Sequence, residues 1–147
     1  MNILVIDAQG GGIGRQLVSA VKKAFPEATV TAVGTNSLAA SAMLKAGADH
    51  VATGENAVVV NCRRADVIVA PIGVVIADAM LGEITPAMAL AAGQSPAKRI
   101  LLPIAHCDNM VVGTRELGMG QLVQEAVEQL RAVREDCGLP CENGIHH

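Results

Sequence analysis

A continuous apolar run, Asn2-Ile3-Leu4-Val5-Ile6, opens the chain and leads directly into Asp7-Ala8-Gln9-Gly10-Gly11-Gly12-Ile13-Gly14. An unbroken run of this kind reads as a strand buried on both faces, because an edge or half-exposed strand alternates apolar with polar residues. Such a strand needs helices above and below it, and the rest of the chain supplies them in alternation. Leu17, Val18 and Val21 give helical spacing over Arg15 to Ala24, stopped by Pro26, before a second strand at Thr29 to Val33. Ser37 is the expected N-cap of a helix through Leu44, closed at Gly47. His50 to Ala52 is a third strand, and Gly54-Glu55-Asn56 turns the chain into a helix reaching Arg64.

A fourth strand, Asp66 to Ala70, ends at Pro71-Ile72-Gly73. The helical segment that follows is interrupted at Gly82 and restarts at Thr85-Pro86, an N-cap followed by proline at the first helical position. Lys98 to Ile104 is the fifth strand, with a short extended piece expected at Met110 to Val112. Leu122, Val123, Ala126, Val127 and Leu130 form the apolar stripe of a last helix from Leu117 to Val133. Alternation of this kind predicts an α/β fold: a three-layer, doubly wound parallel sheet of about five strands, Rossmann-like, in the order 3-2-1-4-5. One domain is expected over residues 1–135 and a loosely held tail over 136–147, with the ligand crevice at the carboxyl ends of strands 1 and 4.

Composition narrows the function. Among 147 residues there is one aromatic, Phe25, and neither tryptophan nor tyrosine. That excludes a base-stacking platform, an aromatic cage and a catalytic tyrosine. With 11 basic against 14 acidic residues, the net charge of -3 supplies no broad positive surface for a phosphate backbone, so nucleic acid is not an expected partner. The apolar fraction of 51% beside 17% charged residues leads us to expect a homodimer or higher homo-oligomer, with surplus apolar surface around Val74 to Leu90. No stretch of about 18 uninterrupted apolar residues is present to span a membrane. Met1-Asn2 enters the first strand without a signal-peptide pattern, so a cytoplasmic location is expected. In that reducing setting Cys62, Cys107, Cys137 and Cys141 read as thiols.

The glycine cluster lies between a strand and a helix, the context in which glycines cradle phosphate. A backbone curling around an anion uses positive φ and tolerates no Cβ in the approach path, and the helix start offers free amides and the positive end of the dipole. The candidate binding residues are Gln9, Gly10, Gly11, Gly12, Ile13, Gly14 and Arg15, with Thr35 and Asn36 after the second strand and Pro71 and Gly73 after the fourth. The same glycines also suit plain close packing of helix on strand.

Gly12-Ile13-Gly14 resembles the end of the T-G-x-x-x-G-I-G loop of short-chain dehydrogenases, with Asp7 and Ala8 in place of the leading threonine and glycine. The resemblance implies a similar grip on a nucleotide. It stops at the chemistry, since those enzymes use a Tyr-x-x-x-Lys pair and this chain has no tyrosine. The expected cofactor is NAD(P) or another nucleotide; a flavin suits less well because flanking aromatics are missing. An acid usually closes the second strand of an NAD site, and here Gly34, Thr35, Asn36 and Ser37 stand there, selecting neither NAD nor NADP. Glu83 beside Gly82 reads either as a crevice carboxylate or as a turn residue.

His106-Cys107-Asp108-Asn109 is the other cluster with chemistry. Cys107 as nucleophile with His106 assisting would make a small enzyme acting on a phosphorylated or carboxylate substrate. Metal binding with Cys62 lacks a paired C-x-x-C framework, and no metal site is expected. Across Asp7 to Gly14, Ala32 to Asn36, Thr53 to Arg64, Pro71 to Gly73, Leu81 to Pro86 and His106 to Asn109 the chain resembles a small family of bacterial Rossmann-like proteins without an established activity. That resemblance implies a single compact domain and no substrate. The leading expectation is a nucleotide-binding protein acting as sensor or accessory subunit on a small phosphorylated ligand. Alternatives are the Cys/His enzyme and a thiol/metal-binding or structural dimerisation module.

Overall fold

Five parallel strands, β1 (Asn2–Asp7), β2 (Thr29–Gly34), β3 (His50–Thr53), β4 (Val67–Pro71) and β5 (Lys98–Leu102), form one sheet in the order β3-β2-β1-β4-β5. This is seen in a computed structural model, which describes residues 1–104 and 108–138. The order and the three-layer arrangement are those expected from the alternation of strand and helix. β1 is central: Ile3 lies opposite Val30 on one side and Val67 on the other, and Val5 opposite Ala32 and Val69. Its residues Ile3 to Asp7 are buried, as the unbroken apolar run requires.

The pleat divides the core into two layers. Ile3, Val5, Val30, Ala32 and Val69 pack with Leu17 and Val21 of α1 (Gly12–Ala24), Met43 of α2 (Ser37–Lys45), and Val127 and Leu130 of α5 (Met119–Gly138). Leu4, Ile6, Val33, Ile68 and Ala70 pack with Val58 and Cys62 of α3 (Glu55–Arg64) and Met88 and Ala92 of α4 (Pro86–Gln94). Phe25, the lone aromatic, caps the end of α1 fully buried, with the guanidinium groups of Arg131 and Arg134 on α5 lying 5.4 and 4.6 Å from the ring centroid. One ring thus joins α1 to α5 through dispersion and cation–π attraction.

Several boundaries differ from the sequence expectation. Asn36, not Ser37, caps α2, its Oδ1 accepting the Ala39 amide at 2.9 Å. β5 ends at Leu102, Met110 to Val112 forms no strand, and α5 starts at Met119 and continues through Gly138. After Pro71 there is one 3-10 turn, Ile72–Val75, and then a run of turns instead of a helix. Asp78, Met80, Leu81 and Gly82 all have positive φ there. The run is pinned by the Asp78 amide on the Ile84 carbonyl at 2.7 Å and by the buried Ile84 side chain. Thr85 caps α4 as expected, accepting from the Met88 amide, with Pro86 at the first helical position. No helix among the described residues is long and apolar enough to cross a membrane.

Gly34 lets α2 start directly over the end of β2. A Cβ there would lie 2.5 Å from the Ala40 nitrogen and 2.8 Å from the Asn36 oxygen, both backbone atoms that cannot swing aside. Gly34→Ala is therefore expected to cost about 1–3 kcal/mol as overpacking, read as a lower denaturation midpoint at unchanged slope in urea unfolding; an unchanged midpoint would contradict this packing.

Candidate functional site

The β1–α1 turn is built around the Asp7 carboxylate, which is only 2% exposed. Oδ1 accepts the Ala8 amide at 2.8 Å and Oδ2 the Gly14 amide at 2.7 Å, with a further bond from the Ile13 amide. These bonds answer amides that the first turn of α1 would otherwise leave without partners. Burial pushes the Asp7 carboxyl above its ordinary range; the three amides pull it back and the nearby charge of Glu83 adds to the rise, leaving it raised.

Each glycine of the loop has its own task. A Cβ at Gly14 would lie 2.6 Å from Met43 Sδ and 2.8 Å from Asp7 Cβ, so its smallness serves helix packing. Gly11 combines a φ of 73° with contact on α2, where a Cβ would meet Ala39 Cα at 2.9 Å. Gly10 and Gly12 are different: both are exposed, and a Cβ at either would meet nothing within 4 Å. Neither the fold nor local packing accounts for glycine at these two positions. Their amides donate no hydrogen bond among the described residues.

Glu83 joins the loop to the end of β2. Its Oε1 accepts the Gln9 amide at 2.9 Å, Thr35 Oγ1 at 2.8 Å and Asn36 Nδ2 at 2.8 Å. Burial raises this carboxyl, but the bonds from Gln9, Thr35 and Asn36 outweigh it and hold it below the ordinary glutamate range. Asn36 Nδ2 also donates to the Gln9 carbonyl at 2.9 Å, while Oδ1 caps α2. Both Nδ2 hydrogens of Asn36 are thus engaged within the protein. Beside this cluster Thr85 Oγ1 donates to Glu55 Oε1 at 2.6 Å.

The structure brings Gln9, Thr35, Asn36 and Glu83 together next to Gly10 and Gly12. Glu83 reaches them from a turn in which only the neighbouring Gly82 marks anything unusual in the sequence. Pro71 and Gly73 are buried at the end of β4, where they pack and do not present a surface. Arg15 lines a groove of about 660 Å³ between α1, α2 and α5, with Lys23 and Lys45. His106, Cys107, Cys141 and the side chain of Cys137 lie outside the described residues. Cys62 is buried, and burial pushes its thiol up to about 11, so it stays protonated and unsuited to metal or nucleophilic work. No cluster of metal-ligating side chains is present among the described residues.

Fold and turn define a Rossmann-like α/β protein with a glycine-rich β1–α1 loop. The chain belongs to the family described as Domain of unknown function (DUF3842), whose model matches residues 2–135. No curated protein sequence matches it. Among solved structures it is similar to a dodecameric FMN-dependent UbiX-like decarboxylase from Escherichia coli O157:H7, at 18% identity and a TM-score of 0.40, over 90% of this chain and 76% of that one.

Because the Glu83 carboxyl is lowered in the folded state, its contribution is complete above the ordinary glutamate range and disappears as pH falls through the lowered value. Asp7 has the opposite sign: with a raised carboxyl, stability falls as pH rises from the ordinary aspartate range to the raised value, where the cost of the ionised form is complete. Glu83→Ala is expected to lose about 1–3 kcal/mol at neutral pH, with the gap to wild type closing below about pH 4. Urea unfolding across pH measures this; a gap independent of pH would contradict the role given to the carboxylate.

Proposed function

We propose that this protein binds a nucleotide, NAD(P) or a related adenine nucleotide, with its phosphate on the rim formed by Gly10 and Gly12, and that it acts as a sensor or accessory subunit. The observation that carries the reading is the pair of glycines for which packing has no use. Both stand at the end of the central strand, beside the start of a 13-residue helix, at the point where strand order reverses between β1 and β4. Open amides and the positive end of the helix favour an anion there. Asp7 already takes the Ile13 and Gly14 amides, which directs a phosphate outward to Gly10 and Gly12.

A sensing or accessory role, not catalysis, fits the two carboxylates at this edge. Asp7 is sealed from solvent, and Glu83 Oε1 is saturated by three donors. Self-association is part of the reading. Leu81 is 98% exposed on the strained turn before Glu83, and Leu90 is 57% exposed on α4, both within or at the edge of the apolar stretch noted in the sequence.

A thermal-shift series with NAD, NADP, FMN, ATP and AMP tests the proposal. A ligand at 100 times its Kd raises stability by about 2.7 kcal/mol. Gly12→Val is expected to keep the unliganded melting temperature, since the space is open, and to remove the ligand shift by filling the approach. Absence of any shift in the wild type, or an unaltered shift in Gly12→Val, would defeat it. Native mass spectrometry of the same sample reads subunit number, and a monomer only would defeat the self-association reading.

A further inference from the structure

α1 and α2 together carry Arg15, Lys22, Lys23 and Lys45 and no acidic residue, in a chain whose net charge is -3. Lys22 pairs with Asp49 at 3.0 Å. The other three are exposed and line one trough of about 660 Å³ on the side of the sheet that holds α1, α2 and α5. No acidic side chain is among the described residues that line it. Positive charge is thus gathered in a concave place, where low-dielectric walls focus its field.

The trough runs along α1, which packs against both α2 and α5. Arg15, Ser19 and Lys23 recur at every fourth position and so form one stripe on the outer face of α1. The two cations of that stripe stand about 12 Å apart along the helix axis. Between them the bed is small and apolar, made by Ala20, Ala42 and Ala46, with Leu38 exposed beside it on α2. Small side chains in the middle let an incoming backbone sit close. A single phosphate or carboxylate at one end leaves the cation at the other end unanswered, and a flat lipid or duplex surface rests on the rims without entering. A second copy is a poor complement. Its long helix α5 interleaves acids with Arg131 and Arg134, and Glu125 and Glu128 are already paired with Arg115 and Arg131.

We propose that this trough docks an acidic amphipathic helix of a partner protein, laid along α1 with small apolar residues on Ala20 and Ala42 and carboxylates at Arg15, Lys23 and Lys45. In helix-in-groove docking the guest presents one apolar stripe to the bed. Here it also needs acids about two turns apart, to meet Arg15 and Lys23 together. The charges supply encounter rate and choice of partner, and the apolar bed supplies residence. The proposal is independent of the nucleotide reading, and its test contains no nucleotide.

Fluorescence anisotropy of the full chain at low salt tests it with a labelled Ala/Leu/Glu peptide of about 16 residues, long enough to form a helix. Its glutamates are set at the Arg15 to Lys23 spacing, and a second peptide carries lysine in their place. The acidic peptide is expected to bind about 10-fold tighter than the basic one, and Lys23→Glu combined with Lys45→Glu to weaken it about 10-fold. Ser19→Phe leaves every charge in place and fills the trough, and should weaken binding by a similar factor. Lys98→Glu, on β5, should leave it unchanged. All four positions are exposed, so circular dichroism should match wild type; where a variant fails to fold, the two peptides on the wild type decide. Equal binding of both peptides, or none at millimolar concentration, overturns the proposal. So does full binding by Ser19→Phe, or a loss in Lys98→Glu equal to that in the trough pair, since either reduces the effect to general charge. Binding to phosphatidylserine vesicles without response to the peptide makes a membrane the occupant, and a wild-type dimer that Lys23→Glu dissociates makes it a second copy; both results overturn the proposal.

Discussion

The arrangement at the carboxyl edge of the sheet depends on one buried charge. Asp7 ends the central strand inside the protein, and its carboxylate is tolerable there because the Ala8, Ile13 and Gly14 amides surround it. Those bonds lock the first turn of α1 to the end of β1. Gly14 is glycine because a Cβ there would crowd Met43 Sδ and the Asp7 side chain whose carboxylate binds its amide. An internal anion at a helix start also reorganises what remains for an external one, because the inner amides are taken and the outer rim at Gly10 and Gly12 is left.

Glu83 is the second fixed point. One oxygen gathers the β1 loop, through Gln9, and the β2 loop, through Thr35 and Asn36, onto the turn that precedes α4. Three segments far apart in sequence thereby meet at the carboxyl edge of the sheet. The two carboxylates are driven in opposite directions by their surroundings, Asp7 up by burial and Glu83 down by its donors. In an enzyme such a split marks an acid and a base. Here the raised member is enclosed, so the pair organises the loop.

The sheet was legible because its signals are local: apolar runs give the strands, helical spacing gives α1 and α5, and alternation gives the parallel order. The glycine loop was legible as a motif, yet its internal division of labour was not. Which of Gly10, Gly11, Gly12 and Gly14 answers to packing depends on Ala39 and Met43, residues of the next helix. The partnership of Glu83 with Thr35 is 48 residues long and leaves no periodic trace. Left-handed backbone at Asp78, Met80 and Leu81 runs against residue preference, so propensity pointed to a helix where tertiary packing of Ile84 imposes turns. The choice of Asn36 over Ser37 as cap follows from the same cluster, since Asn36 caps α2 with its oxygen and binds Glu83 with its nitrogen.

A nearly ring-free core fits this design, because aliphatic side chains and alanines allow helices to sit low on the sheet and bring loop amides and side chains within hydrogen-bond reach. Gly11 against Ala39 and Gly34 against Ala40 are two such approaches. The central claim, that two glycines of the loop serve a ligand and two serve the fold, is tested most directly by an amide-resolved NMR titration with AMP. Saturable shifts concentrated at Gly10 and Gly12, with Gly14 little changed, are the predicted result. Shifts centred elsewhere, or none at millimolar AMP, would contradict it.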